Sequence, residues 1–512
     1  MSGGSDNKRI AKNSIFLSIR MVIVLLISLF TTREVLHVLG VEDYGVYNVV
    51  CGFVSLFAFL NTSMSNGIQR FFNFELGKNG EEGANMVYCT SLLIQAILAF
   101  VIIVLTESFG LWYLHHKMVI PETRFLAAEW IFQFSIIGFL FIIMQAPFTA
   151  AVMAHERMDF YAIVSVLDAV LKLGIVFLLI YLPGDHLILY GLLMLCINAI
   201  NFLLYFLYCK SRFSEIKVRR VFNPSLFKSM LGFSGWNLFG SFSGVMQEQG
   251  INLVLNSFFG PIVNAARGVA AQVNGGLEGF VTNITVPVRP QVVQSYARGD
   301  EKRTMNLTYG ISKLSCGLLM MLAIPVSIEI DYVLHLWLGE SVPDYTAPFT
   351  VIILISSLVS NLNSATSNVV HATGNMKAYQ FWGSIIKISA VPISFFVLKL
   401  YARPELALIT VFICRTIGHI VGLFIVRTLV SFSLRDYVVH VVLPLVLVMV
   451  IGIGASLPFH VLMDEGFTRL VCVTVIGFVS VFFALYFICF DQRERELTRQ
   501  LLYSAKLKFA RK

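Results

Sequence analysis

Asp168 and Lys172 stand four residues apart, acid first, inside an otherwise apolar run, which is the spacing and order of an intrahelical ion pair. Charges and amides recur in other apolar runs at three- and four-residue intervals, so each set lies along one helix face. One stripe carries Asn48, Gly52, Ser55, Thr62, Asn66 and Arg70, and a second carries Asn237, Ser241, Gly244, Glu248 and Asn252. A third carries Arg267, Asn274, Glu278, Thr282 and Thr285, and a sparser one carries Asn13, Arg20, Ser28 and Thr31. Lys313, Lys387 and Arg415 complete the basic residues within apolar runs, and SSLVSNLNSATSNVV at 356–370 is polar enough to need shielding or water on one side. A polar side chain in hydrocarbon is costly and normally faces protein or water. Single Ser, Thr or Asn residues fit ordinary helix packing, as the Gly240/Gly244 spacing does, and Arg20 and Lys313 are also placed to snorkel. Four stripes with charges embedded in them fit a shared wet cavity.

The elements that position these residues follow from composition. Of 512 residues, 57% are hydrophobic and 13% charged, too few charges to cover a water-soluble surface of this size. Fourteen runs have roughly the 20 residues a helix needs to cross a bilayer. They lie near 14–36, 44–66, 86–106, 126–152, 160–182, 186–208, 228–256, 264–286, 305–327, 348–370, 379–400, 404–427, 437–458 and 468–489. Lys8, Arg9 and Lys12 precede the first run as in a signal peptide, but Arg20 interrupts it and no cleavage pattern follows, so it is read as a retained helix.

With the N-terminus in the cytoplasm, 26 of the 38 Lys and Arg residues fall in inner segments, including seven from Arg493 to Lys512, and seven fall outside. That bias is the positive-inside signature; it accounts for the net charge of +8 without nucleic acid and places both termini in the cytoplasm. The eight cysteines are scattered, with no CxxC pair, and read as packing residues rather than disulfides or metal ligands.

A repeat offset by 220 residues relates Gly40 to Gly260, and ERMDFYAI at 156–163 lines up with GNMKAYQF at 374–381. The fold class is thus an all-α polytopic membrane protein of about fourteen transmembrane helices: two pseudo-symmetric six-helix lobes and two extra C-terminal helices. The divisions are an N-lobe at 1–210, a basic cytoplasmic linker at 211–227, a C-lobe at 228–430, helices thirteen and fourteen at 431–490, and a basic tail at 491–512. Parallel repeats of this kind suit alternating access to a site between them.

LGVEDYGVYNVV at 39–50, MSNGIQRFFNFELGKNG at 64–80, FGPIVNAARGVAAQVN at 259–274 and RPQVVQSYARGD at 289–300 together resemble the polysaccharide flippase branch of the multidrug/oligosaccharidyl-lipid/polysaccharide exporter superfamily. The resemblance spans essentially the whole chain. It implies a V-shaped two-lobe fold whose cavity is lined by helices one, two, seven and eight, the helices that bear the stripes. It also implies an outer gate loop at Leu39–Asn48, with Gly40 and Gly45 turning the chain and Tyr44 and Tyr47 at the membrane interface. The implied substrate is a lipid-linked oligosaccharide, whose diphosphate calls for cations and whose sugars call for amides. Arg20, Arg70, Arg267 and Lys313 are the candidates for the anionic headgroup; Asn48, Asn66, Asn237, Gln272 and Asn274 are those for the sugar. In the related peptidoglycan lipid-precursor flippase, arginines in the first, second and eighth helices are implicated, a similar distribution.

The rival within the superfamily is a cation-coupled multidrug exporter, which typically has an acid inside the first helix; here that helix has Arg20 and no interior acid. Glu248, Glu278 and Asp168 are nevertheless candidates to bind a coupling H+ or Na+. A membrane glycan polymerase or ligase would need a large outer loop with a catalytic constellation, and the longest outer loops, 107–125 and 328–347, show none. No GxxxxGK[ST] loop is present, so no ATP site or other cofactor is expected. The expected partners are the lipid-linked oligosaccharide, membrane lipids, and polysaccharide polymerase and glycosyltransferases, with the chain acting as a monomer in a bacterial cytoplasmic membrane.

Overall fold

The computed structural model describes residues 3–155, 157–219, 223–285, 289–492, 494–496 and 499, with side chains from Arg20 onward except at 22, 66, 232–237, 283, 284, 289, 290 and 297. Among the described residues there is no strand. The helices are α1 (Gly3–Ser55), α2 (Ala58–Leu105), α3 (Leu111–His116), α4 (Phe125–Ala154), α5 (Met158–Tyr181), α6 (His186–Arg212), α7 (Pro224–Phe259), α8 (Pro261–Thr285) and α9 (Arg289–Ala297). They continue as α10 (Glu301–Ile328), α11 (Ile330–Leu338), α12 (Thr346–Thr373), α13 (Lys377–Tyr401), α14 (Glu405–Leu429), α15 (Leu434–Tyr437), α16 (Leu443–Leu462) and α17 (Phe467–Ala484).

The apolar runs lie largely in helices, although the run at 44–66 crosses the Leu56–Phe57 turn between α1 and α2. Eleven helical stretches of the described residues are long and apolar enough to cross a membrane, and one of them, Ala58–His116, is 59 residues long, enough for two crossings. The stripe-bearing α7 and α8 are not among the eleven. The protein is a multi-pass membrane protein, and apolar side chains such as Leu443, Val450, Phe483 and Phe487 remain exposed, as a lipid-facing surface requires.

Gly40 and Gly260, which the sequence relates, share one backbone conformation. Gly40 (φ 80°, ψ 167°) interrupts α1, and Gly260 (φ 75°, ψ −169°) separates α7 from α8, a conformation open to glycine and strained for residues with a Cβ. The helix resumes immediately after Gly40, so the implied gate loop at Leu39–Asn48 is a one-residue break within a helix. Gly45 does not turn the chain; it is buried within α1. Tyr47 packs edge-on to Tyr190 at 4.8 Å, and both Tyr44 and Tyr47 join the cluster of Val35, Val176 and Tyr190, so these rings serve the protein core rather than the membrane interface.

Two compact units result: Met1–Val269 with Glu340–Tyr345 and Lys387–Ala407, and Ala270–Gly339 with Thr346–Ile386 and Leu408–Lys512. In the first, Phe53, Ile131, Phe132 and Val49 form a fully buried centre. Arg124, just before α4, reaches both Asp43 of α1 and Asp185, which caps α6 by accepting from the Leu187 and Ile188 amides at 2.9 and 3.2 Å. Burial opposes ionisation of Asp185, but the Arg124 and backbone hydrogen bonds outweigh it and hold its carboxyl below the ordinary range. That stabilisation is complete at neutral pH and is lost as pH falls through the depressed folded-state value.

In the second unit, Cys316, Met320, Val369, Val426, Val448 and Val481 pack α10, α12, α14, α16 and α17 together. Glu329, with a fully buried side chain, accepts from His460 at 2.8 Å and from Arg469 at 2.8 Å, which fixes the two last helices to the end of α10. The eight cysteines are free.

The predicted ion pair forms: Lys172 Nζ donates to Asp168 Oδ2 at 2.8 Å, and Asn201 of α6 donates to Asp168 Oδ1 at 2.7 Å. Because Asp168 is held by both Lys172 and Asn201 while Lys172 bonds Asp168, the two truncations should differ. Asp168→Ala should lower the thermal stability of the detergent-solubilised protein by about 1–3 kcal/mol, Lys172→Met by less, and the double variant should recover part of the loss. Equal losses, with no recovery in the double variant, would contradict this geometry.

Candidate functional site

The third sequence stripe becomes one wall of a cavity in the second unit. Asn274, Glu278, Thr282 and Thr285 follow one face of α8, and α12 answers with Ser357, Ser360, Asn361, Ser364 and Asn368. Ile311 and Ser315 of α10 and Arg415 of α14 close a volume of about 270 Å3, in which only Ile311 and Ala365 are apolar. The polar run on α12 is therefore shielded on one side and faces a cavity on the other, with Ser356, Ser357, Asn361 and Asn368 buried.

The walls are cross-linked by directed hydrogen bonds. Asn361 Nδ2 donates to Glu278 Oε1 at 2.9 Å and to the Ser357 carbonyl at 3.0 Å, while the Ser357 hydroxyl donates to Asn274 Oδ1 at 2.7 Å. Arg415 Nη1 donates to the Ser356 and Ser360 hydroxyls, each at 3.3 Å. A half-buried carboxylate and a half-buried guanidinium thus line one cavity, each held by neutral donors or acceptors, which offset the cost of burying charge. Chemically, the cavity offers one anionic site, one cationic site and a shell of hydroxyls and amides.

The remaining predicted residues have other surroundings. In the first unit, Arg20 is half-buried against α5, with Nη1 donating to Ser165 at 3.3 Å and the guanidinium 5.1 Å from the Tyr161 ring centre; its Nε has no partner among the described residues. Arg267 is half-buried and donates through Nη2 to the Glu248 carbonyl at 2.7 Å, whereas the Glu248 side chain is exposed. Arg70 is exposed on α2. Asn48 donates to the Tyr44 carbonyl at 2.8 Å. Gln272 is half-buried on α8, and the side chains of Asn66 and Asn237 lie outside the described residues.

Lys313 is turned away from the cavity. It sits two positions from both Ile311 and Ser315, on the opposite side of α10, where it is 5% exposed and its Nζ meets Glu494 of the tail at 3.1 Å. Of the site residues predicted from sequence, Asn274 and Glu278 are the two that line the cavity. Arg415 was visible in the sequence only as a charge within an apolar run; its place beside α12 depends on how α14 packs. Among the described residues no group of His, Cys, Asp or Glu could hold a metal ion.

No protein-family model matches the chain, and no curated protein matches it. Solved structures do. The lipid II flippase MurJ in an inward closed conformation is similar at a TM-score of 0.71 and 15% identity, covering 93% of this chain and 98% of its own. An inward-facing multidrug resistance MATE family transporter of the MOP superfamily gives 0.66 at 13% identity, covering 82% and 98%. A MOP superfamily transporter from Pyrococcus furiosus, described as having a binding pocket of reversed polarity, gives 0.61 at 14%, covering 82% and 96%. The chain has the fold of MOP superfamily transporters.

If Glu278 and Arg415 are stabilised as a mutually neutral pair, removing one charge should cost more than removing both. Arg415→Leu should lower stability by about 1–3 kcal/mol, and the Glu278→Gln/Arg415→Leu double variant should regain most of it, since glutamine still accepts from Asn361. Thermal unfolding of the four proteins in detergent measures this, and additive losses would refute the pairing.

Proposed function

We propose that this protein flips a lipid-linked oligosaccharide, a polyprenyl-diphosphate-linked glycan unit, from the cytoplasmic to the outer leaflet of a bacterial cytoplasmic membrane for export of a surface polysaccharide. Both termini are cytoplasmic in this reading, and the Gly40 and Gly260 breaks face out. The supporting observation is the extent of the likeness to the lipid II flippase: it takes in 93% of this chain against 82% for the MATE transporters, an excess of about the length of the two C-terminal helices. The likeness to a lipid II flippase thus extends over more of the chain than the likeness to the MATE transporters does.

The cation distribution supports the same substrate chemistry. Arg20 and Arg267 are half-buried on stripe-bearing helices, and Arg70 ends the stripe on α2 at an exposed position. Arg20 has a guanidinium nitrogen still unpaired among the described residues, which a phosphate oxygen would satisfy. Arginine can make two charge-assisted bonds to phosphate at once. Arg20 would anchor the diphosphate near the inner side, and Arg70 and Arg267 would act towards entry and exit. Asn48, Asn66, Asn237, Gln272 and Asn274 would serve the glycan.

Alternating access then consists of the 1–210 and 228–430 repeats rocking about that site. Glu278 is the best placed of the three acids to bind a coupling H+ or Na+, because it lines a cavity; Glu248 is exposed, and Asp168 is committed to Lys172 and Asn201. The reading needs no cofactor, and it makes polysaccharide polymerase and glycosyltransferases the natural partners of a monomeric flippase.

Arg20→Ala and Arg267→Ala should each abolish surface glycan in a complementation assay while membrane levels stay near wild type, and the lysine variants should restore part of it. Full complementation by both well-expressed alanine variants would remove the cationic anchor from this account.

A further inference from the structure

Within the first unit, three positions on one face of α1, Gly45, Asn48 and Gly52, meet α7 and the start of α8. A Cβ at Gly45 would stand 2.0 Å from the Pro261 carbonyl oxygen, and one at Gly52 would stand 2.7 Å from Gln249 Oε1 and 2.9 Å from Asn252 Nδ2. A side chain at Gly45 would collide with backbone and force the helices apart, whereas one at Gly52 would have to displace only the ends of the Gln249 and Asn252 side chains. Between them, Asn252 Nδ2 donates to the Asn48 carbonyl at 3.4 Å.

The amides continue outward from this crossing. Asn264 Nδ2 donates to both the carbonyl and the Oδ1 of Asn252, at 2.8 and 2.7 Å. One turn along α7 from Asn252, Asn256 pairs with the backbone of the segment between α3 and α4: Val119 N donates to Asn256 Oδ1 at 2.9 Å, and Asn256 Nδ2 donates to the Val119 carbonyl at 3.1 Å. Asn252, Asn256 and Asn264 are 5%, 1% and 0% exposed. Elements from the first repeat are thus fastened to the opening helices of the second at the end where Gly40 and Gly260 lie.

The chemistry of this junction suits a contact that must come apart. Neutral amides exchange their partners for water at modest net cost, unlike an apolar seam, which resists wetting over its whole area. Asn264 Oδ1 is buried with no partner among the described residues, so wetting the junction restores a hydrogen bond that the closed form lacks.

We propose that Asn252, Asn256 and Asn264, seated by the side-chain-free positions Gly45 and Gly52, form the latch that closes the outer end of the translocation path and opens to release substrate. The proposal rests on the transport reading and its orientation. It adds which residues hold the exit shut, and it can be tested without knowing what is transported.

In a cysteine-free background, Asn48→Cys reports on the junction through an impermeant maleimide added to intact cells. Adding Asn256→Ala or Asn252→Ala should raise the labelling rate about 5- to 30-fold, the change expected when one or two hydrogen bonds of a two-state closure are lost. In a second measurement, Gly52→Cys with Gln249→Cys should cross-link on mild oxidation, stop export, and release it on reduction, with each single-cysteine variant exporting as the control for folding. An unchanged labelling rate, or export that depends on this protein yet continues with the cross-link complete, would overturn the latch. Raised labelling in a protein whose deletion leaves glycan export intact would uphold the latch and remove only the substrate assignment.

Discussion

Hydrocarbon will not solvate a charge, and that constraint orders the rest of this structure. Several ionic side chains within the helices have had their partners supplied by the protein: Asp168 by Lys172 and Asn201, Glu278 by Asn361, Arg415 by two serines, Glu329 by His460 and Arg469. The alternative, an unpaired group in low dielectric, costs several kcal/mol. Such costs are met where packing, a site or a junction requires them.

The polar gatherings differ in design. The cavity of the second unit holds opposite charges around an open volume, with hydroxyls and amides filling the walls. The junction of α1 with α7 and α8 holds only neutral amides and closely approaching glycine positions, with no volume to fill. One is shaped to accept a ligand or ion, the other to close and reopen. In the cavity the polar groups come from α8 and α12 with α10 and α14, and at the junction they come from α7 and α8, while large apolar side chains gather in the Phe53 and Phe132 centre or remain exposed.

The helices were legible in the sequence because membrane helices need long apolar runs, and the breaks at Gly40 and Gly260 because a positive-φ break demands glycine. The Asp168 and Lys172 pair was legible because both partners lie on one helix. Lys313 was not, because its partner Glu494 is 181 residues away and the side of α10 it occupies is set by packing against the last helices. Arg415 and Asn361 escaped for the same reason. The amide junction was hidden because its members, such as Asn252 and Asn256, are individually indistinguishable from packing residues, and only their convergence on the Asn48 and Val119 backbone gives them a role.

The most direct measurement of the account is the sidedness of lipid-linked glycan in cells depleted of this protein. Spheroplasts from depleted cells, probed with an impermeant reagent that modifies the glycan on the outer leaflet, should show the polyprenyl-diphosphate glycan accumulating in protected form, with the outer pool lost. Re-expression should restore the accessible pool. An outer pool that stays at its normal size throughout depletion would contradict the assignment of this fold, in this chain, to flipping a lipid-linked oligosaccharide.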